Sequence, residues 1–177
     1  GNLWRTIGDK TYYYQNYQMQ KDAWINDGTG WFYMNGEGLA STGWLEKLGL
    51  NYYLDDTTGR MVTGWKQLAG KWYFLQDTGI MSTGWLDQNG TKYFLNSDGS
   101  MVTGWHTEGD KKYFLTDSGA AATGWRQLDG TWYYFNQGGD MARGCINPDG
   151  NWYYLNQDGR MQTGWLNLND KWYYTDS

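Results

Sequence analysis

Large apolar residues fall in two short clusters per stretch of about twenty residues, separated by polar, glycine-containing segments. One unit reads Gly64-Trp65-Lys66-Gln67-Leu68, then Ala69-Gly70, then Lys71-Trp72-Tyr73-Phe74-Leu75, then Gln76-Asp77-Thr78-Gly79. Neither cluster is long enough for a helical period, and both are rich in aromatics, so each predicts a short strand. The same layout returns along the chain with a tryptophan at its head: Trp4, Trp24, Trp44, Trp65, Trp85, Trp105, Trp125, then Cys145, then Trp165. The steps are 20 residues, except for 21 between Trp44 and Trp65. Nine copies of one unit therefore fill the chain. A unit this small cannot bury its apolar face alone, so the period predicts stacked repeats.

Between the two strands of a unit lie Asn89-Gly90, Asp129-Gly130 and Asp149-Gly150. These pairs are strong signals for tight hairpin turns. Each unit is thus expected to be a β-hairpin. A second turn follows it, at Gly38, Gly59, Gly79, Gly99, Gly119, Gly139 and Gly159. The single long step sits in such a turn, Asp55-Asp56-Thr57-Thr58-Gly59, which has one residue more than Gln76-Asp77-Thr78-Gly79. Side chains alternate faces along a strand. The residues seven and nine after the head tryptophan therefore share a face, and the eighth takes the other. The eighth is aromatic in every unit: Tyr12, Phe32, Tyr52, Tyr73, Tyr93, Tyr113, Tyr133, Tyr153 and Tyr173. Such constancy suits packing along the stack.

Composition changes the picture in one respect. The chain has 13 Trp and 16 Tyr but 5 Phe in 177 residues. Leu, Ile and Val look too sparse for an ordinary core, so burial is expected from aromatic rings and Met in thin layers. The net charge of −5 argues against phosphate-backbone binding. The single cysteine excludes an internal disulfide. No run of about 18 apolar residues is present to form a membrane-spanning helix. The abrupt opening before Trp4 and the close at Ser177 suggest one module, residues 1–177, cut from a longer protein.

The order Thr-Gly-Trp, then Trp-Tyr-Tyr/Phe, then Asp-x-Gly-x-Met resembles the choline-binding (cell-wall-binding) repeat of Gram-positive bacterial and phage surface proteins. Thr123-Gly124-Trp125, Trp132-Tyr133-Tyr134 and Gly139-Asp140-Met141 are a near-complete copy, and the pattern runs through all nine units. The resemblance implies an all-β fold, a left-handed β-solenoid with about three hairpins per turn. It also implies choline sites between successive hairpins. Each would be a cage of two tryptophans from one repeat and an aromatic from the next, with a methionine beside it. The chemistry is coherent. A quaternary ammonium has no N–H to donate, so ring faces and a soft thioether recognise it better than hydrogen bonds do.

On that pattern a cage needs the head tryptophan, the residue seven later, and the ninth residue of the next repeat. Three interfaces supply all of these. They are Trp24, Trp31 and Tyr53 with Met61; Trp65, Trp72 and Phe94 with Met101; and Trp125, Trp132 and Tyr154 with Met161. The remaining interfaces depart from it. Thr11 and Asn51 replace the second tryptophan after Trp4 and Trp44. Lys92 and Lys112 replace it after Trp85 and Trp105, and are expected to be solvated strand residues. Cys145 removes the head tryptophan of the eighth unit and is expected to mark a degenerate repeat.

No paired catalytic carboxylates, Ser/His/Asp set, metal cluster or phosphate loop stands out, so the chain reads as non-catalytic, with no cofactor and no metal. The lone histidine, His106, is expected to be exposed on its hairpin. The resemblance implies choline or phosphocholine of teichoic or lipoteichoic acid as partner, and the outer bacterial surface as location. It offers no nucleic acid and no membrane insertion. Two other readings stand beside it: a glucan-binding repeat module, and the targeting part of a cell-wall hydrolase.

Overall fold

A computed structural model describes residues 1–176. It is all-β among these residues, with nine antiparallel hairpins. The chain divides into two compact units. The first holds Gly1–Gly84 with Leu95–Ser100, and the second holds Trp85–Phe94 with the chain from Met101 onward. The first four hairpins pair Asn2–Ile7 with Lys10–Gln15, Ala23–Asn26 with Trp31–Met34, Gly43–Lys47 with Leu50–Leu54, and Gly64–Leu68 with Lys71–Leu75. The fifth pairs Gly84–Gln88 with Thr91–Leu95. The last four pair Gly104–Glu108 with Lys111–Leu115, Gly124–Leu128 with Thr131–Phe135, Gly144–Ile146 with Tyr153–Leu155, and Gly164–Leu168 with Lys171–Thr175.

The turns follow from residue chemistry. Asn89 and Gly90 have φ of 55° and 88°, and Asp129 and Gly130 have 49° and 79°. Two successive positive φ values define the turn whose twist matches the flanking strands. The expectation fails at Asp149-Gly150. There the strands stop at Ile146 and resume at Tyr153, leaving a wide loop. Pro148 occupies the place of the strand residue Leu128 in the preceding unit. Proline has no N–H for the ladder and a fixed φ, so the hairpin opens early.

Burial corrects the expected core. The fully buried side chains include Leu54, Leu75, Leu95, Leu115 and Leu155, with Met34 and Phe135 in the equivalent place. All stand ten residues after the head of their unit. A mostly aliphatic series is therefore the most deeply buried, with buried aromatics such as Phe32 and Tyr53 beside it. Leu, Ile and Val are sparse taken together, but leucine recurs at this one position. Most of these residues are bridged antiparallel to the connecting segment, as in Leu54 to Met61, Leu75 to Met81 and Leu115 to Ala121.

The connecting segments also tie neighbouring hairpins together. The Met61 amide donates to the Trp31 carbonyl at 2.7 Å, and the Met81 amide donates to that of Asn51 at 2.8 Å. In the second unit the Ala121 and Met141 amides reach Lys92 and Lys112 in the same way. The amide after one hairpin thus seats on the seventh-position carbonyl of the hairpin before it. Gly79 lets this happen closely: a Cβ there would run into the Met61 sulfur.

Candidate functional site

Strand register decides what each hairpin shows its neighbours. Trp125 stands opposite Tyr134 and Gln127 opposite Trp132, so the head, seventh and ninth residues share one face. Arg126 stands opposite Tyr133, which places the eighth residue on the reverse face. The ring contacts show where these faces look. Trp24 packs edge-on against Tyr33 of its own hairpin at 5.3 Å and against Tyr52 of the next at 4.9 Å. Trp44 does the same with Tyr53 and Tyr73, Trp105 with Phe114 and Tyr133, and Trp125 with Tyr134 and Tyr153.

The ring that meets a head tryptophan from the following hairpin is thus the eighth residue. The ninth packs on the tryptophan of its own hairpin. At the second and third hairpins, Trp24 and Trp31 share one face of their hairpin, Tyr33 and Tyr52 pack on Trp24, and the Met61 amide seats on the Trp31 carbonyl. Tyr53 lies one face further on, against Trp44 at 5.1 Å. Its hydroxyl donates to Asp56 at 2.7 Å, and that bond pushes its pKa up to about 12. At the seventh and eighth hairpins, Trp125 and Trp132 stand 6.3 Å apart with ring planes at 87°. Tyr153 closes on Trp125 at 4.8 Å, and its hydroxyl donates to Asp149, which raises its pKa. Met161, in the short strand Met161–Gln162, comes close to the strand Thr131–Phe135 that carries Trp132. Tyr154 stands opposite Cys145. Of the remaining set, Trp65 packs on Phe74 at 5.1 Å and Trp72 stands opposite Gln67, both in the first unit. Phe94 packs on Trp85 at 5.0 Å and Met101 lies against Gly119, both in the second.

The seventh-position tryptophans keep a face in solvent: Trp31 is 45% exposed, Trp72 40% and Trp132 41%. At the seventh and eighth hairpins, two indoles held near a right angle, with Tyr153 behind, make a concave π surface. It can accept a cation that carries no hydrogen-bond donors. Tyr52 and Tyr153 are the rings that sequence reasoning assigned to packing alone. The alternation rule could have found them, because it places the eighth residue opposite the seventh and ninth.

Two lysines behave differently from solvated strand residues. The Lys112 ammonium stands over the Trp105 ring, 4.5 Å from its centre. The Lys92 ammonium reaches the Gly138 carbonyl at 3.4 Å. His106 is also not simply exposed. It stacks on Phe94 at 4.0 Å and 30°, and its Nε2 is buried without a hydrogen-bond partner. As the residue after a head tryptophan, it lies on the face that looks back toward the fifth hairpin.

Where the seventh tryptophan is missing, two head tryptophans are held by acids of the next hairpin. The Trp4 indole N–H donates to Asp27 at 2.9 Å, and that of Trp85 donates to Glu108 at 2.6 Å. Asp27 also accepts from the Thr29 hydroxyl, which is the main reason its pKa falls to about 2.

Stacked aromatic hairpins with paired tryptophans at their interfaces define a repeat-built binding protein. The choline-binding repeat profile matches residues 82–123, 122–156 and 144–177, more than half of the chain. The putative cell wall binding repeat matches residues 22–40 and 63–81. The chain belongs to the choline-binding repeat family. It is similar to CbpJ of Streptococcus pneumoniae TIGR4, with 36% identity over 96% of this chain and 66% of that one, at a TM-score of 0.83. Choline binding protein F of Streptococcus pneumoniae, solved in the presence of a peptidoglycan analogue, is 38% identical over 88% of this chain and 56% of that one (TM-score 0.79). A pneumococcal cell wall endolysin from phage Cp-1, complexed with choline, is 30% identical over 68% of this chain and 37% of that one (TM-score 0.51). The chain spans between about half and two thirds of the length of the first two. None of the curated proteins compared with it matches.

Proposed function

We propose that this chain is a non-catalytic module that anchors a protein to the cell wall by recognising phosphocholine on teichoic or lipoteichoic acid. The observation that supports the reading is the aromatic packing between the second and third hairpins. Trp24 and Trp31 face the next hairpin, Tyr52 closes on Trp24, and Met61 is fixed to Trp31 through its backbone. The seventh and eighth hairpins repeat it with Trp125, Trp132 and Tyr153. In the fourth hairpin, Trp65 and Trp72 repeat the same tryptophan pair. The trimethylammonium head would enter against the exposed tryptophan faces, held by cation–π attraction and methyl packing. The phosphate would stay in solvent, which suits a chain of net charge −5 without a basic surface.

All nine repeats act in this reading as one module on the outer surface of a Gram-positive bacterium. Several weak cages on one scaffold suit a polymer that carries many choline groups, because linked sites raise avidity without new contacts. The test is retention on a tertiary-amine resin that mimics choline. Release by free choline is the expected result. Release by soluble glucan, with no effect of choline, would replace this reading with carbohydrate recognition.

A further inference from the structure

A broad cleft lies between the eighth and ninth hairpins, where the head tryptophan is replaced by Cys145. Elsewhere that tryptophan covers the eighth-position tyrosine of the following hairpin: Trp105 covers Tyr133, which is 9% exposed. Here the cover is missing, and Tyr173 is 49% exposed. Trp152 has also lost its right-angled partner and is 70% exposed. The result is a cleft of about 760 Å³ walled by Trp152, Tyr154, Tyr173 and Met161, with Cys145 at its side. That volume is on the scale of sites for molecules much larger than a trimethylammonium group, about 300–1,000 Å³.

We propose that this cleft binds the pyranose rings of an uncharged oligosaccharide and not a quaternary ammonium. Three features point the same way. The Trp152 and Tyr173 rings are accessible, so they offer flat surfaces for the C–H face of a sugar. The lining carries Asn151, Gln162 and Asn169, amides that can both donate to and accept from hydroxyls. A quaternary ammonium has no use for them. Lys171 and Asp176 also line the cleft, and their opposite charges leave it without a bias toward a charged ligand. Gln162 is already oriented: its amide donates to the Arg160 carbonyl at 3.0 Å. This leaves its side-chain oxygen as an acceptor. The chain thereby carries two ligand classes, with the cations in the tryptophan cages and the sugar where a tryptophan was lost.

The same substitution supplies the probe. Cys145 is the only cysteine, it is exposed, and it lines the cleft. The intact chain is alkylated with iodoacetamide and the rate is read by mass spectrometry, alone and with diacetylchitobiose, maltose or choline. A disaccharide at roughly ten times its Kd should slow alkylation about tenfold by mass action, while choline leaves the rate unchanged. Trp152→Ala should abolish the slowing. Slowing by choline, with or without a sugar effect, would make this an ordinary cage and overturn the proposal. No slowing by either disaccharide would overturn it as well. Because the readout sits at Cys145 alone, failure of the choline cages elsewhere would not affect it.

Discussion

The Lys112 ammonium stands 4.5 Å from the centre of the Trp105 ring, where the second tryptophan of a cage would otherwise be. A side-chain cation thus covers the π face that an external cation would need. Replacing it should open or complete that interface. Lys112→Trp is expected to add one choline site, seen as a rise of one in calorimetric stoichiometry. Lys112→Ala removes the contact and should cost about 0.5–1 kcal/mol in a thermal melt.

The two tryptophans of a cage should separate binding from stability. Trp31 is 45% exposed. Trp31→Ala is therefore expected to remove one choline site and leave unfolding within about 1 kcal/mol of the parent. Trp24 is more buried and holds both Tyr33 and Tyr52. Trp24→Ala should remove the same site and also cost up to about 3–5 kcal/mol. Denaturant unfolding and choline titration on both variants check this pair of outcomes.

Gly64 and Gly79 have nearly the same backbone, with φ of 79° and 84°. They differ in what surrounds them. A Cβ at Gly64 meets nothing within 4 Å, whereas one at Gly79 runs into the Met61 sulfur. Gly64→Ala should lose only the conformational term, about 1–2 kcal/mol. Gly79→Ala should lose a further 1–3 kcal/mol or so from crowding, and weaken choline binding by shifting Met61. Equal losses in chemical denaturation would contradict the packing assigned to Met61.

Much of this was legible in the sequence, and the gaps have physical causes. The hairpins could be read because Asn-Gly and Asp-Gly need positive φ and occur between aromatic strands. The loop at Asp149 was missed because Pro148 outweighs the turn pair beside it. Alternation showed that Trp72 and Phe74 share a face, but a period along one chain does not say toward which neighbour that face looks. The repeat pattern therefore points to Tyr53, whereas Trp24 meets Tyr52. The leucine layer was overlooked because its signal is position and not abundance. Leu54, Leu75, Leu95, Leu115 and Leu155 recur at one place in the repeat. The folding of Lys112 back onto Trp105 depends on a side-chain rotamer, which no spacing encodes.

The join between the first two hairpins should weaken in acid. Asp27 is held at about 2 against an ordinary 3.8, chiefly by the Thr29 hydroxyl and also by the Trp4 indole N–H. A depressed folded-state value means that the contribution is complete above the unfolded pKa. It is lost as pH falls from about 4 toward about 2. Tryptophan fluorescence should report a loss of order in that window. Asp27→Asn should lower stability at neutral pH and flatten the acid dependence.

The most direct measurement of the whole account is a calorimetric titration of the intact chain with choline. Nine hairpins give eight interfaces, and only those led by Trp24, Trp65 and Trp125 carry the second tryptophan together with the first and a ring beyond. The account predicts three comparable sites, falling to two in Trp31→Ala. No saturable binding, or close to eight equal sites, would contradict it.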